Sequence, residues 1–423
     1  MVVSGTPRHR TAWLPWLIWS FGPALFFYAW FQRVAPSIMI DQLMRDLGMS
    51  GAALGNLSAF YFYAYAGLQL PVGLLMDRYG PRRLLSAGAA VCAGGTLVFA
   101  TAEFVAVAYL GRLLVGIGAA FSFVGGLKLA TSWLPARRFA LASGLVMMSG
   151  MLGGMLGQAP MAAVVEQVGW RPALSASALA GLLLAAVTWL VVRDHPPGMR
   201  AAAPRESLGT VLRTLGHVLG NRQNLLLAVV LAAMTAPLLG FAGLWGVAWL
   251  MQIHAMSRAE AAGLASLLLL GWAVGSPLAG ALSDRLGRRK PPLIAALLLG
   301  ALALAAIIYL PAPSAATLGV LFVFAGACYG TMITGYAIAR ESNDAAVHGA
   351  TFGFLNGAVV GSGALFQPLL GALLDLQWDG TLHAGAPVYD AAAFRNAFSA
   401  LLAFLGIGAA AALALRESVP RTA

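Results

Sequence analysis

The feature that most constrains this chain is a series of twelve long apolar runs, near residues 13–36, 52–76, 84–101, 104–132, 139–165, 172–192, 223–250, 260–282, 291–311, 316–339, 348–374 and 392–415. A helix crosses a bilayer with about 20 apolar residues, a length that each run reaches or approaches. Backbone in hydrocarbon must satisfy its own hydrogen bonds, and a helix does so within one segment. With 60% hydrophobic and only 10% charged residues, the chain carries more apolar surface than one water-soluble core can enclose. The runs predict an all-α membrane protein of twelve transmembrane helices, with the lipid bilayer as its main solvent.

A formal charge of +11 invites a nucleic-acid reading, but the basic residues fall in short clusters between the runs and form no continuous polar face. They read as topology signals. Arg8, Arg10, Arg82-Arg83, Arg137-Arg138, the stretch Arg193–Arg222, Arg285–Lys290 and Arg340 fall on one side, and Asp41, Asp46, Glu103, Glu166, Asp375, Asp379 and Asp390 on the other. The positive-inside rule then puts both termini in the cytoplasm. The run from Thr11 to Phe31 is too long for a signal-peptide core and lacks a small-residue cleavage site, so it is expected to remain as the first helix. Cys92 and Cys328 lie inside predicted spans and read as packing residues, with no disulfide. Arginine far outnumbers lysine and alanine is abundant, a bias of GC-rich bacterial coding sequence that points to a bacterial inner membrane.

The chain also repeats itself. Gly73–Asp77-Arg78–Gly80–Arg82-Arg83 recurs as Gly280–Asp284-Arg285–Gly287–Arg288-Arg289, with an offset of 207 positions. A Gln-Pro feature, Gln158-Ala159-Pro160 in span 5 and Gln367-Pro368 in span 11, recurs at nearly the same offset. The polar stretch from His195 to Asn221, with Pro, Gly and several Arg, reads as a linker. The predicted organisation is therefore a six-helix half over 1–192, a cytoplasmic linker over 193–222 and a second six-helix half over 223–423, related as parallel repeats.

Across its whole length the sequence resembles the major facilitator superfamily. The duplicated loop signature carries the resemblance, and Gly111-Arg112 with Gly116 and Gly118 in span 4 matches a second family pattern. Pro81 departs from the first pattern. The antiporter signature of span 5 is only approximated between Gly150 and Pro160, where Gln158-Ala159 interrupts it, which disfavours a drug/proton antiporter. Gly125-Gly126-Leu127-Lys128, Trp133-Leu134-Pro135 and Gly169-Trp170-Arg171 are similar to bacterial relatives of the lysosomal dipeptide transporter branch.

The resemblance implies alternating access, with two halves rocking about a central site and the loop motifs acting as a conformational switch. Asp77 is expected to face Arg137 or Arg138 and the N-terminal end of span 11, and Asp284 to do likewise against the other half. Spans 1, 4, 7 and 10 line the cavity in this family, and Arg33, Arg112 and Lys128 lie in spans 1 and 4. No carboxylate falls near the middle of a span, so a cationic cavity favours an anionic or zwitterionic solute. Arg112 and Lys128 are 16 residues apart, roughly 24 Å along a helix and on nearly opposite faces, so they cannot grip one small anion together. Arg33 has an alternative of snorkelling outward near Pro36 and Asp41, and Lys128 of snorkelling inward. Arg112 is weighed as a brace on span 1 against a direct role in activity.

Gln158, Gln367 and Asn356 are further candidates for hydrogen bonds to solute, against the commoner fate of interhelical bonding. Glu341, grouped with Asn343, Asp344 and His348, is a candidate coupling group, against the reading of a solvated loop cluster. Of the aromatic residues in spans 2, 7 and 10, some are expected in the cavity wall and most in packing.

Phosphate-loop, metal-ligand and nucleophile motifs are absent from the sequence, so neither an enzyme nor an ATP-driven pump is expected, and no cofactor or metal. The leading expectation is a monomeric secondary or facilitative transporter of a small organic solute, with a coupling proton or ion, as in a symporter, among its partners. A proton-coupled exporter of hydrophobic or cationic compounds is the first alternative. A nontransporting receptor on the same fold is the second.

Overall fold

The computed structural model describes residues 13–196, 216, 218–344 and 347–417. Arg8, Arg10 and most of the predicted linker lie outside the described residues. Among the described residues, eleven helices are long and apolar enough to cross a membrane, and a bent pair, Gly51–Gln69 with Pro71–Tyr79, supplies a twelfth. The 62° bend falls at Pro71, whose ring and missing N–H interrupt the helical ladder. The spans are Leu14–Ile38, the bent pair, Pro81–Ala100, Val105–Trp133, Leu141–Val168, Trp170–Val191, Arg222–Ile253, Arg258–Leu286, Lys290–Tyr309, Ala315–Glu341, His348–Asp375 and Ala391–Ala414, numbered 1 to 12 below. These are the twelve runs expected from hydropathy. Cys92 and Cys328 are free and buried.

Leu183, Leu302 and Val320 stand among large apolar side chains left exposed on the outside of the bundle, where an aqueous solvent would penalise them and lipid would not. The loops between spans 2 and 3 and between spans 8 and 9 carry the duplicated motif. An even number of crossings separates them, so they share one face, here the motif face. The loops after spans 1, 7 and 11 lie on the opposite, far face.

The far face is closed. Asp375, at the end of span 11, accepts hydrogen bonds from the Gly51 and Ala52 amides at 2.8 and 2.7 Å and from the Tyr389 hydroxyl at 2.7 Å. One carboxylate thus caps the N-terminus of span 2, where unpaired amides and the helix dipole favour negative charge. Just inside, Gly55 lets span 2 lie directly on span 11; a Cβ there would collide with the Gln367 carbonyl and stand 2.6 Å from Pro368 Cα. A short helix, Ile40–Leu47, follows span 1, and Asp41 on it receives both terminal nitrogens of Arg258 from the start of span 8 at 2.8 Å. A small hairpin, Leu382–His383 paired with Ala386–Pro387, lies over this helix and turns at Gly385 with φ +81°. These contacts tie the first half of the chain to the second.

Span 7 is irregular. From Pro237 to Trp245 it widens into π-helical turns, a form often found at functional sites.

Candidate functional site

Beneath the far-face closure lies a small void of about 10 Å³, room for about one water, lined by Trp30, Arg33, Phe62, Gln158, Leu239, Ala242, Gln367 and their neighbours. Spans 1, 2 and 5 meet spans 7, 8 and 11 around it. Three of the residues expected from sequence, Arg33, Gln158 and Gln367, are therefore brought to one place, although they come from three different helices.

Arg33 does not snorkel outward. It is 5% exposed, and Asp41, the acid it was expected to approach, is taken by Arg258. Its guanidinium carbon lies 4.1 Å from the Trp30 ring centre, 5.1 Å from Tyr65, 5.2 Å from Tyr61 and 5.6 Å from Phe62. Arg33 Nε donates to the Tyr61 hydroxyl at 3.3 Å. No Asp or Glu pairs with it among the described residues. A cation at a helix centre in the membrane costs about 2.5–3.5 kcal/mol on the insertion scale; Arg33, in the last turn of Leu14–Val34, is off that centre, and a desolvated cation–π contact returns about 2. The cage makes a buried Arg33 tolerable, but aromatic rings cannot cancel its charge.

The two glutamines hold span 7 and present acceptors. Gln158 Nε2 donates to the Ala242 carbonyl at 2.8 Å, and Gln367 Nε2 donates to the Leu239 carbonyl at 2.9 Å. Trp245 Nε1 in turn donates to the backbone carbonyl of Gln367 at 3.0 Å. The Oε1 atoms of both glutamines are buried without a hydrogen-bond partner. Unsatisfied buried acceptors are disfavoured by about 1–3 kcal/mol each, so a donor in the void, a water or a ligand group, would be favoured.

Arg112 lies deeper in the first half, 1% exposed, and braces span 1 by donating from Nη1 to the Gln32 carbonyl at 2.8 Å. Its Nε and Nη2 are buried without partners, and its guanidinium sits 5.2 Å from the same Tyr61 ring that neighbours Arg33. It does not line the void. The two buried arginines share one tyrosine between them.

Lys128 belongs to the motif face. Its Nζ is 2.5 Å from Asp77 Oδ1, with both side chains partly exposed. Asp77 thus pairs with span 4 of its own half, whereas Arg137 and Arg138, its expected partners, are exposed. The reason is reach: a lysine on the last turns of span 4 points along the helix toward the same surface where span 2 ends. In the second copy, Asp284 pairs with Arg289 of its own loop at 2.5 Å and not with the other half. Arg289 also reaches Glu341 at 3.1 Å. Burial disfavours the Arg289 charge, but Asp284 and Glu341 outweigh it and hold the pKa above the ordinary value. Glu341 thus contacts the second motif loop through Arg289, while Asn343 bonds with Asn221 and Asn224. Asn356 donates to Gln69 at 3.1 Å, joining spans 11 and 2 away from the void.

Gly80 and Gly287, the fixed glycines of the two motifs, adopt φ +79° and +60°, which explains their recurrence at the bend into the next span. Two acids that sequence reading passed over complete these loops. Asp194, after span 6, accepts the Arg82 amide at 2.8 Å, and Glu417, after span 12, accepts the Arg289 and Lys290 amides at 2.8 and 3.1 Å. Each caps the span that follows its motif. The signal was a lone acid just past the sixth and the twelfth run.

The Major Facilitator Superfamily sequence model matches residues 21–245 and 235–423. The chain belongs to that superfamily.

Among superfamily relatives, the chain is similar to a probable galactarate/D-glucarate transporter of Bacillus subtilis strain 168, with 28% identity over 63% of this chain and 66% of that protein. It is also similar to a quinolone resistance transporter of Acinetobacter baumannii, with 30% identity over 40% of this chain and 41% of that protein. In both cases the match spans less than two thirds of the relative's length. Its fold resembles a crystal structure of a bacterial homolog of the human lysosomal transporter Spinster, in an inward-facing and occupied conformation, with a TM-score of 0.78, 19% identity and coverage of 94% of this chain and 96% of that one.

Proposed function

We propose that this protein moves a small organic anion across a bacterial inner membrane by alternating access, with Arg33 as the anchor for the anionic group. The observation that carries this reading is the buried Arg33 guanidinium, which has no acidic partner among the described residues and lies beside two amide oxygens that lack donors. Once the halves part and widen the void, a carboxylate on Arg33, with hydroxyl groups on the same molecule donating to Gln158 and Gln367, would satisfy all three. The name of the Bacillus subtilis relative, which refers to hydroxylated dicarboxylates, supports the same chemistry.

In this reading the motif face is cytoplasmic, by the positive-inside rule. The far face is then extracellular and closed. The halves are 1–192 and 223–423, joined by 193–222, and the protein acts as a monomer. The Asp77–Lys128 and Asp284–Arg289–Glu341 groups act as the switch, and Arg112 positions span 1.

The test is thermal unfolding of the purified protein against D-glucarate, galactarate, other organic acids, neutral sugars and organic cations, since a ligand of the folded state alone raises its apparent stability. Stabilisation by the acids that disappears in Arg33→Ala is expected. Stabilisation by organic cations or quinolones, unaffected by Arg33→Ala, would favour the exporter alternative, which the Acinetobacter baumannii relative's name supports.

A further inference from the structure

We propose that a groove between spans 8 and 10, at the far-face end of the bundle, binds an aminophospholipid, with the lipid ammonium on Glu260 and an acyl chain along Gly263, Leu264 and Leu267. The groove has a volume of about 490 Å³ and is lined by Met256, Glu260, Gly263, Leu264 and Leu267 on the span 8 side and by Ala315, the first residue of span 10. That volume is in the range of sites that hold whole organic molecules.

Its position points to lipid. Glu260, Leu264 and Leu267 continue at helical spacing into Leu270, Val274, Leu278 and Leu282, and all of the last four are exposed. Steps of three and four residues keep to one face of a helix. An exposed row of Leu and Val on a membrane-spanning helix is a lipid contact, because water would penalise it. The groove is the far-face end of that row. Glu260 lies in the first turn of span 8, at headgroup level, and Leu267 lies about 10 Å further along the helix into the membrane.

Charge selects the headgroup. Glu260 is the only charged residue among the described residues that line the groove. Arg258, in the same turn, is buried and paired with Asp41. Glu260 closes a capping box, accepting from the Ser257 amide at 3.0 Å and the Ser257 hydroxyl at 2.7 Å, and both bonds end on Oε2. Oε1 is left to accept from a ligand. An ethanolamine headgroup brings an ammonium with three N–H donors to that oxygen. A choline headgroup carries the same charge without a donor, and the net negative headgroup of phosphatidylglycerol is repelled. The cap accounts for Oε2, but not for the groove beside it.

The experiment uses the full chain, purified in detergent and delipidated, with phosphatidylethanolamine, phosphatidylcholine and phosphatidylglycerol that share one photoreactive acyl chain. The ethanolamine lipid should crosslink to residues 256–267 about fivefold more than the other two, the preference that a strong exposed ion pair provides. Glu260→Gln keeps an oxygen for Ser257 and so preserves the cap; it should bring the ethanolamine lipid down to the level of the others. Gly263→Leu fills the groove and should lower labelling by all three lipids. A Cβ at Gly263 meets only Ala159 Cβ, at 4.0 Å, so the helix accommodates it. Equal labelling by the three lipids, or an unchanged preference in Glu260→Gln, overturns the headgroup assignment. Labelling of 256–267 by none of them, or labelling undiminished in Gly263→Leu, overturns the groove. A dimer on size exclusion that Gly263→Leu converts to monomer, with no lipid adduct at 256–267, would assign the groove to a second copy of the chain and overturn the proposal.

Discussion

Asp41 and Arg258 meet in a two-point ion pair across the far face, each terminal nitrogen of Arg258 lying 2.8 Å from a different carboxylate oxygen of Asp41. Arg258 also donates to the Ile38 carbonyl, so a single buried side chain from span 8 gathers the whole turn after span 1. The pair is a latch between the halves.

Asp41→Asn should open this latch. Truncating a fully buried pair costs about 3–5 kcal/mol, but the Asp41 side chain keeps 38% exposure, so a loss of about 1–2 kcal/mol is expected. Hydrogen exchange across residues 35–50 should speed up in the variant. Unaltered exchange would mean that the far face is held by other contacts.

The pH dependence of that latch has a definite sign. Burial pushes the Asp41 carboxyl up, but the hydrogen bonds and charge of Arg258 outweigh it and hold the pKa below the ordinary carboxylate range. Its stabilisation is complete above about pH 4, the unfolded carboxylate range, and is lost as the pH falls through the lower folded value. The difference in unfolding temperature between wild type and Asp41→Asn should be flat at neutral pH and shrink only in strong acid.

Asp77→Asn and Lys128→Gln should impair transport alike, and the double variant should be no worse than either. The exposed pair is worth about 0.2–1 kcal/mol, enough to shift a balanced conformational equilibrium several-fold without preventing membrane insertion. A double-mutant cycle on uptake rate reads the coupling, and additive losses would assign the two residues separate roles.

Gly55→Ala should hinder closure of the far face, because the added methyl meets the span 11 backbone at Gln367 and Pro368. The protein should still fold, since the contact exists only when spans 2 and 11 are together. Labelling of a cysteine placed at Ala52 should become faster. No change would show that the helices can shift to accommodate the methyl.

Gln158→Leu and Gln367→Leu should each weaken anion binding about tenfold, the equivalent of one net hydrogen bond. Titration calorimetry with D-glucarate reads the loss. Full affinity in both would remove the glutamines from the site.

The twelve spans were legible because membrane hydropathy acts locally: any helix in lipid must be apolar along about 20 residues, whatever it packs against. The duplicated loops were legible because their glycines and charges recur at a constant offset, and Gly80 and Gly287 match that reading with positive φ. The partners of those charges were not. Asp77 chose Lys128 over Arg137 and Arg138, and Asp284 chose Arg289 in its own loop, because pairing depends on helix rotation and side-chain reach, which spacing alone leaves open.

By itself, the sequence determined the architecture, the duplicated loops and a short set of intramembrane polar residues, all consequences of short-range chemistry against a uniform solvent. Tertiary structure alone decided which of those residues share a site. It separated Arg112 and Lys128 from the void and joined Arg33 to Gln158 and Gln367 there, because helix contacts between distant segments bring together residues that no local pattern relates.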